Sequence, residues 1–284
     1  MSTQVDFQKE YRIPVIDREQ YAGTYWDVPV DRNHPSYNEP LVPLESENVS
    51  YLCYHARTDG DNPPYHKAVT GSRKDMWLRR SLAKKLAEVN TSLRPHDLEL
   101  LILDGYRPIA CQQGLWDFYY QQGRDLLGAA ATRDELYAHA RTFVADPAPF
   151  DENDCTTWPA HTTGASIDTT LRVISTEVVV DMGSNFEEIT ETSHSDYFER
   201  LLDQGEISTD DRRLIHRRIL HWAMHRHGIL NDPFVFWHHD WGNQHHVKTW
   251  RALFPDPPEA AMYGYIPPPP AEVGSAERSY RYNT

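Results

Sequence analysis

Residues 98–108 read LELLILDGYRP. Five of the first six are Leu or Ile, and Asp104-Gly105 follows, so the run reads as a buried strand stopped by a turn. The turn delivers Arg107. Pro108 suits the first turn of a helix, because it has no N–H to leave unpaired, and residues 109–123, IACQQGLWDFYYQQG, supply that helix.

Upstream, DMWLRRSLAKKLAEVN at 75–90 predicts a helix with Leu78, Leu82, Leu86 and Val89 on one stripe. Downstream, Thr132 and Glu135 form a capping box for a helix over 133–145. Residues 166–175 (SIDTTLRVIS) and 177–183 (EVVVDMG) read as strands. Residues 210–228 (DDRRLIHRRILHWAMHRHG) read as a long helix ended by Gly228, and 233–241 (PFVFWHHDW) as a strand. Together these predict one α+β domain, a mostly antiparallel sheet flanked by helices. Residues 1–65 form an extension packed on the core, 66–254 the domain, and 255–284 a proline-rich tail laid over it.

The chain has 284 residues and a formal net charge of −14, which argues against nucleic acid or an anionic membrane as a partner. Mean hydropathy is −0.67, and no apolar run approaches the ~20 residues of a membrane helix. The N-terminus lacks an apolar leader, so the cytoplasm is the expected location. A homodimer is compatible with the sequence. Cys53, Cys111 and Cys155 are too few and too scattered for a disulfide framework or a Cys-rich metal knot, and are expected as reduced thiols.

Two segments carry metal-binding side chains. HTTGASID places His161 seven residues before Asp168, with Gly164 allowing a tight turn between them; VFWHHDWGNQHH at 235–246 offers His238. Two imidazoles, one carboxylate and an open position make a catalytic metal site. A structural zinc site would more often use four ligands rich in Cys, which three scattered cysteines do not supply.

The order of these motifs resembles that of D-alanyl-D-alanine dipeptidases of the vancomycin-resistance type. These are zinc peptidases of the fold superfamily that includes D,D-carboxypeptidases and the hedgehog signalling domain. The resemblance runs from about residue 72 to residue 250. It implies metal ligands at His161, Asp168 and His238, and a catalytic arginine at Arg107 to stabilise charge on the substrate carbonyl.

Three positions depart from the family pattern. The general-base glutamate of its ExWH motif is Val235 here. The serine opening its SxHxxGxAxD motif is Pro159, and the aspartate that holds the substrate ammonium is Glu187. Valine transfers no proton. Asp240, on the same strand parity as His238, is the expected replacement base, with His239 and Glu187 as reserves. Trp237 and Glu187 are expected to contact substrate together with Arg107.

The function implied is hydrolysis of a small dipeptide or amino-acid amide, with Zn2+ as the bound ion. A 2-His-1-carboxylate set also suits Fe2+, so an oxygenase, cyclase or lyase acting on an amino-acid-derived metabolite is the alternative. A metal-binding pseudoenzyme is a third reading. The helical His221 and His225, spaced i, i+4, lack the Glu of HExxH and are expected on a solvated or partly packed face, with Arg212, Arg213, Arg217 and Arg218 as a solvated basic face. His245 and His246 are expected just past the last strand, outside the site.

Overall fold

The computed structural model describes residues 6–270. In chain order the strands are β1 (Leu41–Pro43), β2 (Ser50–Tyr51), β3 (Trp77–Arg79), β4 (Leu98–Asp104), β5 (Ser166–Val173), β6 (Leu230–Asn231) and β7 (His238–Asp240). The helices are α1 (Arg18–Tyr21), α2 (Arg80–Leu93), α3 (Ile109–Leu127), α4 (Arg133–Phe143), α5 (Tyr197–Gln204), α6 (Arg212–His225) and α7 (Gln244–Leu253). No described helix is long and apolar enough to cross a membrane.

The main sheet runs β2-β4-β5-β7-β6, antiparallel except for the β2–β4 edge; β1 and β3 pair separately. The long run at 98–104 is indeed strand β4, and all its residues but Glu99 are buried. Each large apolar side chain so buried contributes about 1.5–3 kcal/mol. The α4 capping box is present: Glu135 N–H donates to Thr132 Oγ1, and Thr132 N–H donates to Glu135 Oε2 at 2.8 Å.

Several elements differ from expectation. The helix placed at 75–90 starts at Arg80, because Trp77–Arg79 is drawn into a strand with β1. Arg79 is the cause. It is 1% exposed, and its guanidinium donates to the carbonyls of Thr163 (2.8 Å), Tyr37 (3.1 Å) and Gly264 (2.8 Å), which helical geometry at that point would not reach. Residues 177–183 form no full strand; they lie along β5 through one bridge, Arg172 to Val179.

Of residues 233–241, only His238–Asp240 is strand. The preceding loop is held by Asn231, whose side-chain amide donates to the carbonyls of Val235, Phe236 and His238. Helix α7 has no counterpart in the expected elements; Asn243 caps it by accepting from His246 N–H at 2.9 Å.

Helix α6 also departs from its expected face. Arg217 and Arg218 are 2% and 1% exposed. Arg217 is satisfied by the carbonyls of Met182, His194 and Thr192, and Arg218 by the carboxylate of Glu199. Such saturation is what allows a guanidinium to be buried. All three cysteines are free thiols.

The segment preceding residue 66 is woven into the sheet through β2, and residues 261–270 cross the domain. Ala261 bridges Val30, and the Tyr106 hydroxyl donates to the Ile266 carbonyl. Residues 271–284 of the proline-rich tail lie outside the described residues.

Candidate metal centre

Strand register assembles the site. Asp104 on β4 pairs with Asp168 on β5, and Asp168 pairs with His238 on β7, so three functional side chains form one row across the sheet. Facing pairs in a sheet lie about 5 Å apart, close enough to converge on one small group. His161 reaches the same point from a short 3-10 turn, Ala160–Thr163, which ends at Gly164. Gly164 has φ +67°, and a Cβ there would meet Leu41 Cδ2 at 2.3 Å, so both conformation and space call for glycine.

His161 Nε2 and His238 Nδ1 are 3.2 Å apart; Asp168 Oδ1 lies 3.0 Å from His238 Nδ1, and Asp168 Oδ2 3.5 Å from His161 Nε2. The remaining nitrogens have their own acceptors. His161 Nδ1 donates to the Gly105 carbonyl at 2.8 Å, and His238 Nε2 forms an ion pair with Asp240 Oδ2 at 3.0 Å. With these acceptors behind the rings, His161 Nε2 and His238 Nδ1 are the nitrogens left to face an ion.

Two imidazole nitrogens and a carboxylate thus converge on one point. Ligands at ~2.1 Å around a tetrahedral ion stand roughly 3.4 Å apart, close to these separations. The three side chains therefore fit one divalent ion. Burial alone would raise Asp168 and lower His238. The partner charges outweigh it, holding the Asp168 carboxyl well below and the His238 imidazole well above their usual ranges.

A second converging triad, His238, Asp240 and His245, is explained by ion pairing alone. Asp240 Oδ2 lies 3.0 Å from both His238 Nε2 and His245 Nδ1, while Oδ1 accepts from Ser166 Oγ (2.6 Å) and Asn243 Nδ2 (2.7 Å). His245 Nε2 in turn meets Asp232 Oδ2 at 2.9 Å. Burial lowers His245, but Asp240 and Asp232 overcome it and leave this imidazole raised.

Arg107 is clamped. Its Nε donates to Asp104 Oδ2 at 2.7 Å and its Nη1 to Gln112 Oε1 at 3.1 Å, while Nη2 lies 3.6 Å from Asp168 Oδ2. These contacts aim the guanidinium at the metal-facing side of Asp168. Glu187 lies across the same cavity in a left-handed conformation, φ +67°. Its Oε2 accepts from the hydroxyls of Tyr65 (3.0 Å) and Tyr119 (3.2 Å), and its Oε1 lies 3.1 Å from His55 Nε2. Burial pulls His55 down; Asp104 and Glu187 outweigh it and hold it at about 9.

The cavity over this row has a volume of about 340 Å³. Arg107, His161, Asp168, His238, Glu187 and Trp237 line it, as do Val235 and Pro159. His239 and Asp240 do not. His239 turns to the opposite face of β7, toward Ile13, Leu220 and His221, because strand residues alternate sides. Asp240 is 1% exposed, with both oxygens committed to neighbours. Neither can reach a substrate, so the expectation of either as a replacement base is corrected.

His245, expected outside the site, lines the cavity because α7 folds back beside β7. Tyr25 also lines it, stacked on His245 with centroids 4.8 Å apart. Tyr25, His55 and Tyr65 all come from the N-terminal segment, where nothing in the local pattern marks them; only Asp104, in DGYRP, sat beside a recognisable motif.

The D-ala-D-ala dipeptidase family model matches residues 66–256. A D-alanyl-D-alanine dipeptidase from Synechocystis sp. is 29% identical over 240 residues, covering 80% of this chain and 92% of that relative. Two solved structures are also similar. VanYB in complex with D-Alanine-D-Alanine shares 14% identity at a TM-score of 0.36, over 68% of this chain and 87% of its own. A vancomycin-resistance D,D-pentapeptidase VanY mutant in complex with Zn(II) shares 15% at 0.34, over 66% and 84%. Since the matched segment carries Arg107, Glu187 and the whole His161–Asp168–His238 set, the chain belongs to the D-Ala-D-Ala dipeptidase family.

Proposed function

We propose that the chain is a zinc-dependent hydrolase of a small dipeptide or amino-acid amide, working with reduced proton-transfer machinery. The observation that carries this reading is the convergence of His161 Nε2, His238 Nδ1 and the Asp168 carboxylate within about 3.5 Å of one another, with an acceptor behind each imidazole. Zn2+ held by His161 Nε2, Asp168 and His238 Nδ1 would supply Lewis acidity toward a carbonyl oxygen and acidify water.

The protein's own groups do the rest. Arg107, immobilised by Asp104 and Gln112, donates to the oxygen that gains charge as the carbonyl is attacked. Glu187 offers its remaining acceptor capacity to a substrate ammonium, while Tyr65, Tyr119 and His55 keep it in place. Trp237, Phe143 and Ile189 shed water from the substrate's apolar part. Val235 adds a methyl-lined wall where the family places its base. Asp232 and His245 face the same cavity but are bound to each other. General acid–base catalysis is worth about 10²–10⁴-fold, so turnover of D-Ala-D-Ala itself is expected to be depressed by that order, and a modified amino-acid derivative is the favoured substrate.

The test is a Val235→Glu variant assayed on D-Ala-D-Ala with zinc. A gain of at least 10²-fold supports a hydrolase pocket lacking one group; no gain, with zinc bound, sinks it. A second reading rests on the same donor set together with the apolar Val235: Fe2+ in place of zinc, with oxidative or lyase chemistry on an amino-acid-derived metabolite. Metal content of protein purified without added metal separates the two. One equivalent of metal with no turnover of any small amide or metabolite would leave a ligand-binding pseudoenzyme.

A further inference from the structure

A second cavity is larger than the one over the metal row. It has a volume of about 630 Å³ and shares the Trp237 wall with the catalytic cavity. Its floor includes Leu103 of β4 and Thr170 of β5. Thr170 is two residues beyond Asp168, so both point to the same face of the sheet. The two cavities therefore lie side by side, with Phe186 lining one and Glu187 the other.

The lining has a definite chemistry. Tyr54, Phe186, Trp237 and Phe236 form a connected aromatic wall, with successive centroids 4.8, 5.5 and 5.0 Å apart and planes at 86°, 81° and 80°. Asp61, Asp181 and Glu188 add carboxylates, and no Lys, Arg or His lines the space. Two cations stand behind this lining: Arg57 pairs with Asp61 at 2.8 Å, and the Arg217 guanidinium lies 3.7 Å from the Phe236 centroid. Thr170 is 5% exposed, yet its hydroxyl makes no hydrogen bond to any described residue. The hydroxyl opens onto the cavity and has its donor and acceptor capacity available to a guest there. Aromatic faces, carboxylates and a hydroxyl oxygen all favour positive charge, and a space of this size suits a small molecule.

We propose that this second cavity binds a small organic ammonium with an apolar body, independently of the metal centre. The ring packs against Phe186 and Trp237, the ammonium faces the carboxylates, and one of its N–H groups reaches Thr170.

The test titrates the full chain, with EDTA present, with 2-phenylethylammonium and with neutral 2-phenylethanol, following heat and tryptophan fluorescence. The expected result is one saturable site at which the ammonium binds at least about fivefold tighter than the alcohol. Ser184→Trp, which fills the cavity from its rim, should abolish binding. The double change Asp181→Asn with Glu188→Gln should erase the preference for the ammonium. Val235→Trp, which narrows the catalytic cavity instead, should leave binding unchanged. Melting curves establish that each variant is folded, and Thr170→Val, expected to weaken the ammonium severalfold, replaces Ser184→Trp should that variant not fold. Equal affinity for amine and alcohol, absence of saturation, or loss in Val235→Trp with retention in the cavity-filling variant would each overturn the proposal.

Discussion

His238 and His239 are neighbours on a three-residue strand, both walled in by protein, yet they are driven to opposite charge states. His238 looks toward Asp168 and Asp240 and is held well above an ordinary imidazole. His239 looks toward Ile13, Leu220 and His221; burial outweighs the Trp237 carbonyl and the more distant Asp240 and Asp168, and drops it to about 4. The pattern extends beyond the pair. His245, between Asp232 and Asp240, is raised, whereas His221 is lowered to about 3 and His225 well below its usual value, the two rings stacked 3.6 Å apart. Desolvation is common to both faces of β7. The carboxylates on one face decide which imidazoles carry charge or can serve an ion.

The sharpest way to break this contrast is to exchange the two faces. His238→Ala or Asp168→Asn should reduce bound metal from one equivalent to near zero after dialysis, by elemental analysis. His239→Ala should keep it; equal loss in both variants would show that the faces are not distinct. Next in size is the acceptor behind the ligand. Asp240→Asn removes the charge that keeps the proton on His238 Nε2 and should weaken metal affinity about 10–100-fold, measured by competition with a chelator.

The neutral face makes its own prediction about pH. His221 titrates near 3 when folded and ~6.5 when unfolded. Between those values the unfolded chain binds the extra proton, so stability is lost as pH falls through the window and is complete above it. In EDTA, His221→Phe should therefore flatten the fall in stability between pH 6.5 and 4 by up to about 1.4 kcal/mol per pH unit, read from denaturant melts. An unchanged slope would place a proton on His221 in the folded state. The smallest effect belongs to Tyr11→Phe, which removes the hydroxyl bonded to His221 Nδ1 at 2.5 Å and should cost about 1 kcal/mol.

Legibility followed the range of the interactions. Strand β4, the turn to Arg107 and helix α3 could be read directly because a continuous apolar run, a Gly turn and a Pro start are local signals. The α4 capping box lies within four residues and was equally readable. The start of α2 was misplaced because Arg79 answers to carbonyls of Tyr37, Thr163 and Gly264, none of them local. The solvated basic face expected on α6 held at Arg212 and Arg213 but failed at Arg217 and Arg218 for the same reason: Arg218 is matched to Glu199 and to the carbonyls of Phe7 and Gln8. Parity correctly put Asp240 on the side of His238, but parity cannot say that Ser166, Asn243 and His245 already occupy its oxygens.

By itself, then, the amino-acid order established the family, the mixed α+β class and the candidate residues Arg107, His161, Asp168, Glu187, Val235 and His238, since each sits in a short motif whose spacing survives folding. Only the tertiary structure decided which nitrogens of His161 and His238 face inward and that Asp240 supports a ligand. It also decided that Tyr25 and Tyr65 line the pocket from the N-terminal segment, with His55 holding Glu187. The physical reason is that the partners of these groups, Gly105 for His161, Asp168 for His238 and Glu187 for His55, lie tens to hundreds of residues away and come within about 3 Å only when the sheet has formed.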